Sequence, residues 1–147
     1  MKRRVFTALI LAALATPLFA GALKLEAEDP HGNPEAQAKN AVVVARITAC
    51  HSPEKTVVSA TAEGLVNGKR ETIPLKVMKF ATPGTFAVTR QWPREGLWTI
   101  RLVATNPDYK DYATGLLMSP GVLGAQQFFH APTEDEVDKA LKQATFE

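Results

Sequence analysis

The chain is poor in several things that would narrow its function at once. It has one cysteine in 147 residues, two tryptophans and two tyrosines. A lone thiol, Cys50, excludes an internal disulfide, so the fold has to be held by its core and not by covalent staples. No Gly-x-Ser-x-Gly is present, and no Ser, His and acid stand in an order that suggests a nucleophile with its base. Gly121-x-x-Gly124 lacks the Lys and Ser or Thr that complete a phosphate loop. The densest acidic cluster, Glu134-Asp135-Glu136-Asp138, opens a helical pattern, whereas catalytic carboxylates must flank a cleft. No residue is nominated as catalytic, and the expectation is a protein that is not an enzyme.

What is present begins at the N-terminus. Lys2, Arg3 and Arg4 precede an apolar run from Val5 to Ala15, broken only by Thr7. Pro17 and the small residues Ala20-Gly21-Ala22 follow. A basic start, a short apolar centre and a small-residue site are the three parts of a secretory signal peptide, with cleavage expected after Ala20 or Ala22. The run is shorter than the about 20 apolar residues of a membrane span. A lipid anchor would need a Cys at the cleavage point, and Cys50 lies elsewhere. The expected location is therefore periplasmic or secreted.

Removing 22 residues from 147 leaves 125, enough for one domain with a core of its own. Three of the 17 basic residues leave with the signal, so 14 remain against 15 acidic ones, a net charge near −1. The balance gives no field that would favour nucleic acid or anionic lipid.

Seven segments read as strands: Leu23 to Glu28, Asn40 to Cys50, Thr56 to Val66, Glu71 to Phe80, Thr85 to Gln91, Leu97 to Thr105, and one within Tyr109 to Met118. Alternation marks their inner faces: Val43, Ala45, Ile47 and Ala49; Val58, Ala60 and Ala62; Ile73, Leu75 and Val77; Trp98, Ile100, Leu102 and Ala104. Gly64 is expected to mark a bulge, because the apolar parity shifts there to Leu65. Asn67-Gly68 signals a type I′ hairpin. Pro74 lacks an N–H, which places its strand at a sheet edge or a bulge. Asp29 to Pro34 reads as a loop. Gln126 to His130, with Phe128 and Phe129, either covers a sheet edge or adds a strand.

The period then changes. Thr133 with Glu136 forms a capping box, and Val137, Ala140, Leu141 and Ala144 recur at helical spacing. The expected architecture is an all-β, immunoglobulin-like antiparallel sandwich of about seven strands over residues 23–131, with a short C-terminal helix and tail over residues 132–147.

Pro83-Gly84-Thr85-Phe86, followed by Pro93-Arg94-Glu95-Gly96-Leu97-Trp98-Thr99-Ile100-Arg101-Leu102, resembles the hairpin of YtkA-like domains of exported bacterial proteins. It is also similar to carboxypeptidase-regulatory-like and macroglobulin-like sandwiches. The resemblance covers roughly residues 41–118. It implies a non-catalytic extracytoplasmic module, in some cases near copper or envelope functions, and brings no site residue with it.

Among side chains with chemistry to offer, Cys50-His51 is the one adjacent pair of soft-metal ligands. Strand parity sends Cys50 to the outer face and His51 to the core face, so they serve one metal only if a turn begins at Cys50. His31 and His130 fall in expected loops. Arg101 and Arg90 can line an outer face with Trp92 nearby, which would suit an anionic ligand, but the favoured reading is a solvated β-face whose charges block edge aggregation. Trp98 is assigned to the core and Trp92 to the surface. No metal, cofactor or nucleic acid is expected. The function expected is a binding module for a protein partner or an envelope component, with periplasmic copper handling as the alternative.

Overall fold

The computed structural model describes residues 23–144 except Asp111 and Leu123; the expected signal peptide lies outside the described residues. In chain order the elements are β1 (Lys24–Glu28), α1 (Pro34–Ala38), β2 (Ala41–Thr48), β3 (Val57–Val66), β4 (Lys69–Pro74), β5 (Val77–Lys79), β6 (Thr85–Thr89), β7 (Leu97–Thr105), β8 (Ala113–Met118), β9 (Ala125–Phe128) and α2 (Glu134–Ala144), with a 3₁₀ turn at Pro53–Lys55. The strands form two antiparallel sheets, β1-β2-β6-β5 and β4-β3-β7-β8-β9. Apart from the added β9, this is the strand order of an immunoglobulin-type sandwich whose second sheet gains one strand beyond the three-stranded minimum. No described helix is long and apolar enough to cross a membrane.

The alternation read from the sequence is the alternation of the core. Val43, Ala45, Ile47, Phe86 and Val88 from one sheet meet Val58, Ala60, Ala62, Trp98, Ile100, Leu102 and Ala104 from the other, all buried. Leu23 and Leu25 close one side and are fully buried. Burying a side chain of this size is worth about 2 kcal/mol, and without a disulfide this layer carries the stability.

Three expectations about strand parity are corrected. β3 pairs with β4 and β7 in unbroken register through Gly64, so there is no bulge. Gly64 is there because Trp98 lies across it, and the inward set simply continues to Val66. The segment Glu71 to Phe80 is two strands, not one. β4 ends at Pro74 on the edge of the five-stranded sheet, and the chain crosses so that β5 joins the other sheet. A proline without an N–H suits the residue where pairing to β3 stops. Finally, β2 ends at Thr48, and Ala49 takes a positive φ of 57° and is exposed instead of facing the core.

Other differences are additions. Pro34 starts α1 where a loop was expected: Asn33 caps it by accepting from the Ala36 N–H at 3.1 Å, and proline's fixed φ suits the first helical position. Its Ala36 packs on Val44, Phe80 and Ala87, the outer side of the four-stranded sheet. Together with β5, β9 raises the strands from the expected seven to nine. Asn67 and Gly68 both have positive φ, as the hairpin signal required.

The C-terminal helix docks. Val137 and Leu141 are buried against Leu117 and Phe128 on the outer face of the five-stranded sheet. The capping box forms: the Thr133 N–H donates to Glu136 Oε2 at 2.7 Å, and the Glu136 N–H donates to Thr133 Oγ1 at 3.4 Å.

Candidate functional site

The two sheets do not close fully at one end of the sandwich. The end of β1, the start of β2, Arg90 after β6, and the β8–β9 connection surround a cleft of about 540 Å³. Val43, Ile100, Met118 and Ala125 line its walls, and Trp92 forms part of one side. Val42 and Val122, 37% and 50% exposed, stand at the same cleft and leave apolar surface open to solvent. A volume in the range of about 300–1,000 Å³ with mostly apolar walls is the usual form of a ligand site.

The polar groups here are Glu28, Asp29, His31 and Arg90. Glu28 is paired with Arg46 at 3.0 Å. Asp29 accepts the backbone N–H of His31 at 2.7 Å and meets its ring nitrogen at 2.5 Å. The backbone N–H first, and then the ring, hold the Asp29 carboxyl below its ordinary range. Arg90 donates Nε to the Trp92 carbonyl at 3.1 Å and Nη2 to the Pro93 carbonyl at 2.9 Å, with its guanidinium 5.2 Å from the centre of the Trp92 ring. Trp92, expected at the surface, is 5% exposed and packs with the core. Arg90 covers its face, so the ring serves as a wall.

At the opposite end Cys50 and His51 separate. Because Ala49 breaks the strand, parity inverts: Cys50 packs against the core and His51 is exposed. The amide of the buried Asn106 reaches Cys50 Sγ at 3.5 Å and donates to the Ser52 carbonyl and Thr56 Oγ1, both at 2.9 Å. The Asn106 side-chain oxygen accepts from the Asp108 N–H. Asp108 in turn accepts from Ser52 Oγ at 2.5 Å and from Lys55 Nζ at 2.9 Å. This network ties the β2–β3 loop to the β7–β8 loop. His31 sits at the other end, and His130 is placed beside Glu136 and edge-on to Phe128. Among the described residues no three His, Cys, Asp or Glu side chains gather as a metal site.

A second constellation was not legible in the sequence. Glu63 is 1% exposed on the outer face of the five-stranded sheet. Thr61 and Thr72 each donate a hydroxyl to it at 2.6 Å, while Arg70 and Arg101 stand farther off at 3.6 and 3.9 Å. The same arginines reach α2: Arg101 pairs with Glu134 at 2.9 Å, and Arg70 pairs with Glu134 and Asp138, both at 3.1 Å. The acidic start of the helix thus has a second role beside capping. The signal available was a lone Glu at an outward strand position flanked by Thr and Arg neighbours, which becomes meaningful only once the pairing Glu63–Thr72 is known.

No family model, curated protein or solved structure matches the chain.

Proposed function

We propose that the protein is an exported, non-enzymatic binding module whose end cleft receives a component of the cell envelope. The observation that carries this reading is the cleft itself: apolar at depth, open at the sandwich end, and bordered by carboxylates already engaged by Arg46 and His31. Groups engaged in this way position and frame a ligand; they are not arranged as an acid and a base across a reacting bond. The signal-like N-terminus supports export, and the hairpin resemblance to YtkA-like domains agrees with a non-catalytic extracytoplasmic module.

The test is ligand retention. The purified protein is incubated with envelope extract, recovered, and examined by native mass spectrometry, beside the variant Ala125→Trp. Ala125 is exposed at the start of β9 and lines the cleft, so the indole fills space without disturbing the core. Retention of a small molecule by the native protein and its loss in the variant are expected. Equal retention by both would place the binding elsewhere and overturn the reading.

A further inference from the structure

The cleft has a neighbour. A second hollow of about 320 Å³, lined in part by Arg90, Arg94, Leu97 and Ser119, shares Arg90, Trp92, Pro120 and Val122 with the first. Arg90 therefore stands in the wall common to a cleft with largely apolar sides and a second space that Arg94 also lines.

The charges around that wall are not balanced. Of the five arginines after residue 22, Arg46, Arg70 and Arg101 each pair with a carboxylate. Arg90 and Arg94 have no carboxylate partner among the described residues, and they are the two that line the second hollow. Glu95, the nearest acid in the sequence, lines neither space. Arg90 spends two N–H groups on the Trp92 and Pro93 carbonyls, which fixes its guanidinium without neutralising it. Glu28 and Asp29, the acids of the main cleft, are already engaged by Arg46 and His31. Among the described residues the second hollow is lined by these two guanidiniums and no carboxylate, while Asp29 keeps its negative charge in the main cleft unless His31 is protonated.

We infer that the two hollows together bind an anionic amphiphile, with the acyl chain in the apolar cleft and a single carboxylate or phosphate head on Arg90 and Arg94. This rests on the reading of the cleft as a binding site and names its ligand class. An acyl chain is favoured over a polypeptide by the walls. A buried peptide group left without a partner costs about 1–3 kcal/mol, and Val43, Ile100, Met118 and Ala125 offer no side-chain partner, whereas a hydrocarbon chain needs none. An arginine pair matches the oxygens of a carboxylate or phosphate.

The probe is undecanoic acid carrying a dansyl group, whose emission rises on entering an apolar site. Competitors are palmitate, a lysophosphatidylglycerol and the uncharged hexadecanol, each below its aggregation threshold. Probe binding is expected, with displacement by the anionic competitors at concentrations about fivefold or more below those needed of the alcohol. Stronger displacement by palmitate identifies a free fatty acid, and stronger displacement by the lysolipid a phosphate-headed lipid; either supports the inference. Arg94→Gln, at an exposed position, is expected to weaken anion binding about fivefold and to narrow the gap to the alcohol. Ala125→Trp is expected to abolish binding of both. If the alcohol competes equally well and Arg94→Gln changes nothing, the anionic head is overturned while the cleft reading stands. If the probe does not bind and Ala125→Trp has no effect on envelope-ligand retention, both fall.

Discussion

The indole of Trp98 lies against Gly64 on the neighbouring strand so closely that a β-carbon on Gly64 would stand 2.4 Å from Cζ3. The ring has little freedom to yield, because its Nε1–H donates to the Glu95 carbonyl at 2.7 Å and its body is buried. Gly64→Ala is therefore expected to cost about 3 kcal/mol, at the upper end of overpacking. Urea unfolding followed by tryptophan fluorescence measures it. A change below about 1 kcal/mol would mean that the indole is not held where it is found.

Glu63 sets a contrast between a buried and an exposed partner of the same arginines. Two threonine hydroxyls at 2.6 Å and two more distant guanidiniums satisfy it. Arg101→Met leaves this buried carboxylate with less compensation and is expected to destabilise by about 3 kcal/mol. Glu134→Ala removes an exposed carboxylate from the same arginine and is expected to cost less than about 1 kcal/mol. Denaturation of the two variants side by side reads the order, and a larger effect from Glu134→Ala would reverse the assignment.

Asp108 and Glu136 predict an acid limb to the stability curve. The Ser52 hydroxyl first, and then Lys55, hold the Asp108 carboxyl below its ordinary value of 3.8. The Thr133 backbone N–H is the leading cause for Glu136, held below 4.5. A carboxyl with a depressed folded value contributes stability that is complete above its unfolded value and lost as pH falls through the folded one. Melting temperature is therefore expected to be flat in these groups above about pH 5 and to fall below pH 4.5 for Glu136 and below pH 3.8 for Asp108. Asp108→Asn should make that fall shallower. A slope identical to the native protein's would remove Asp108 from the account.

Asn106 is buried and satisfies three loop groups at once. Asn106→Ala leaves the Ser52 carbonyl and the Asp108 N–H without that partner, an expected cost of about 2–3 kcal/mol. The same change removes the amide that touches Cys50 Sγ. Labelling of the single thiol by a disulfide reagent should be slow in the native protein and faster in the variant. Equal labelling rates would show that Asn106 does not shield Cys50.

Much of the fold was legible because an alternating strand needs only its own residues to declare an inner face. Trp98, Ile100, Leu102 and Ala104 are inward in the sequence pattern and buried in the structure. The Thr133–Glu136 cap and the Asn67–Gly68 turn are equally local, each complete within four residues. Where the sequence misled, the deciding partner was distant. Leu65 looked like a parity shift because Gly64 has no side chain to show which way it faces; the ring of Trp98 supplies the answer from another strand. Trp92 looked exposed beside a proline, yet it is buried with Arg90 laid over its face.

The sequence by itself determined the all-β class, the identity of most core residues and the helix at the C-terminus, because periodicity and capping are properties of short segments. Only the tertiary structure decided which sheet each half of the Glu71 to Phe80 segment joins, that Ala49 inverts Cys50 and His51, and that Arg90 and Arg94 stand beside a cleft with no carboxylate partner among the described residues. Those facts depend on which strands become neighbours and which charges meet across them. Such meetings are set by packing between residues far apart in the chain.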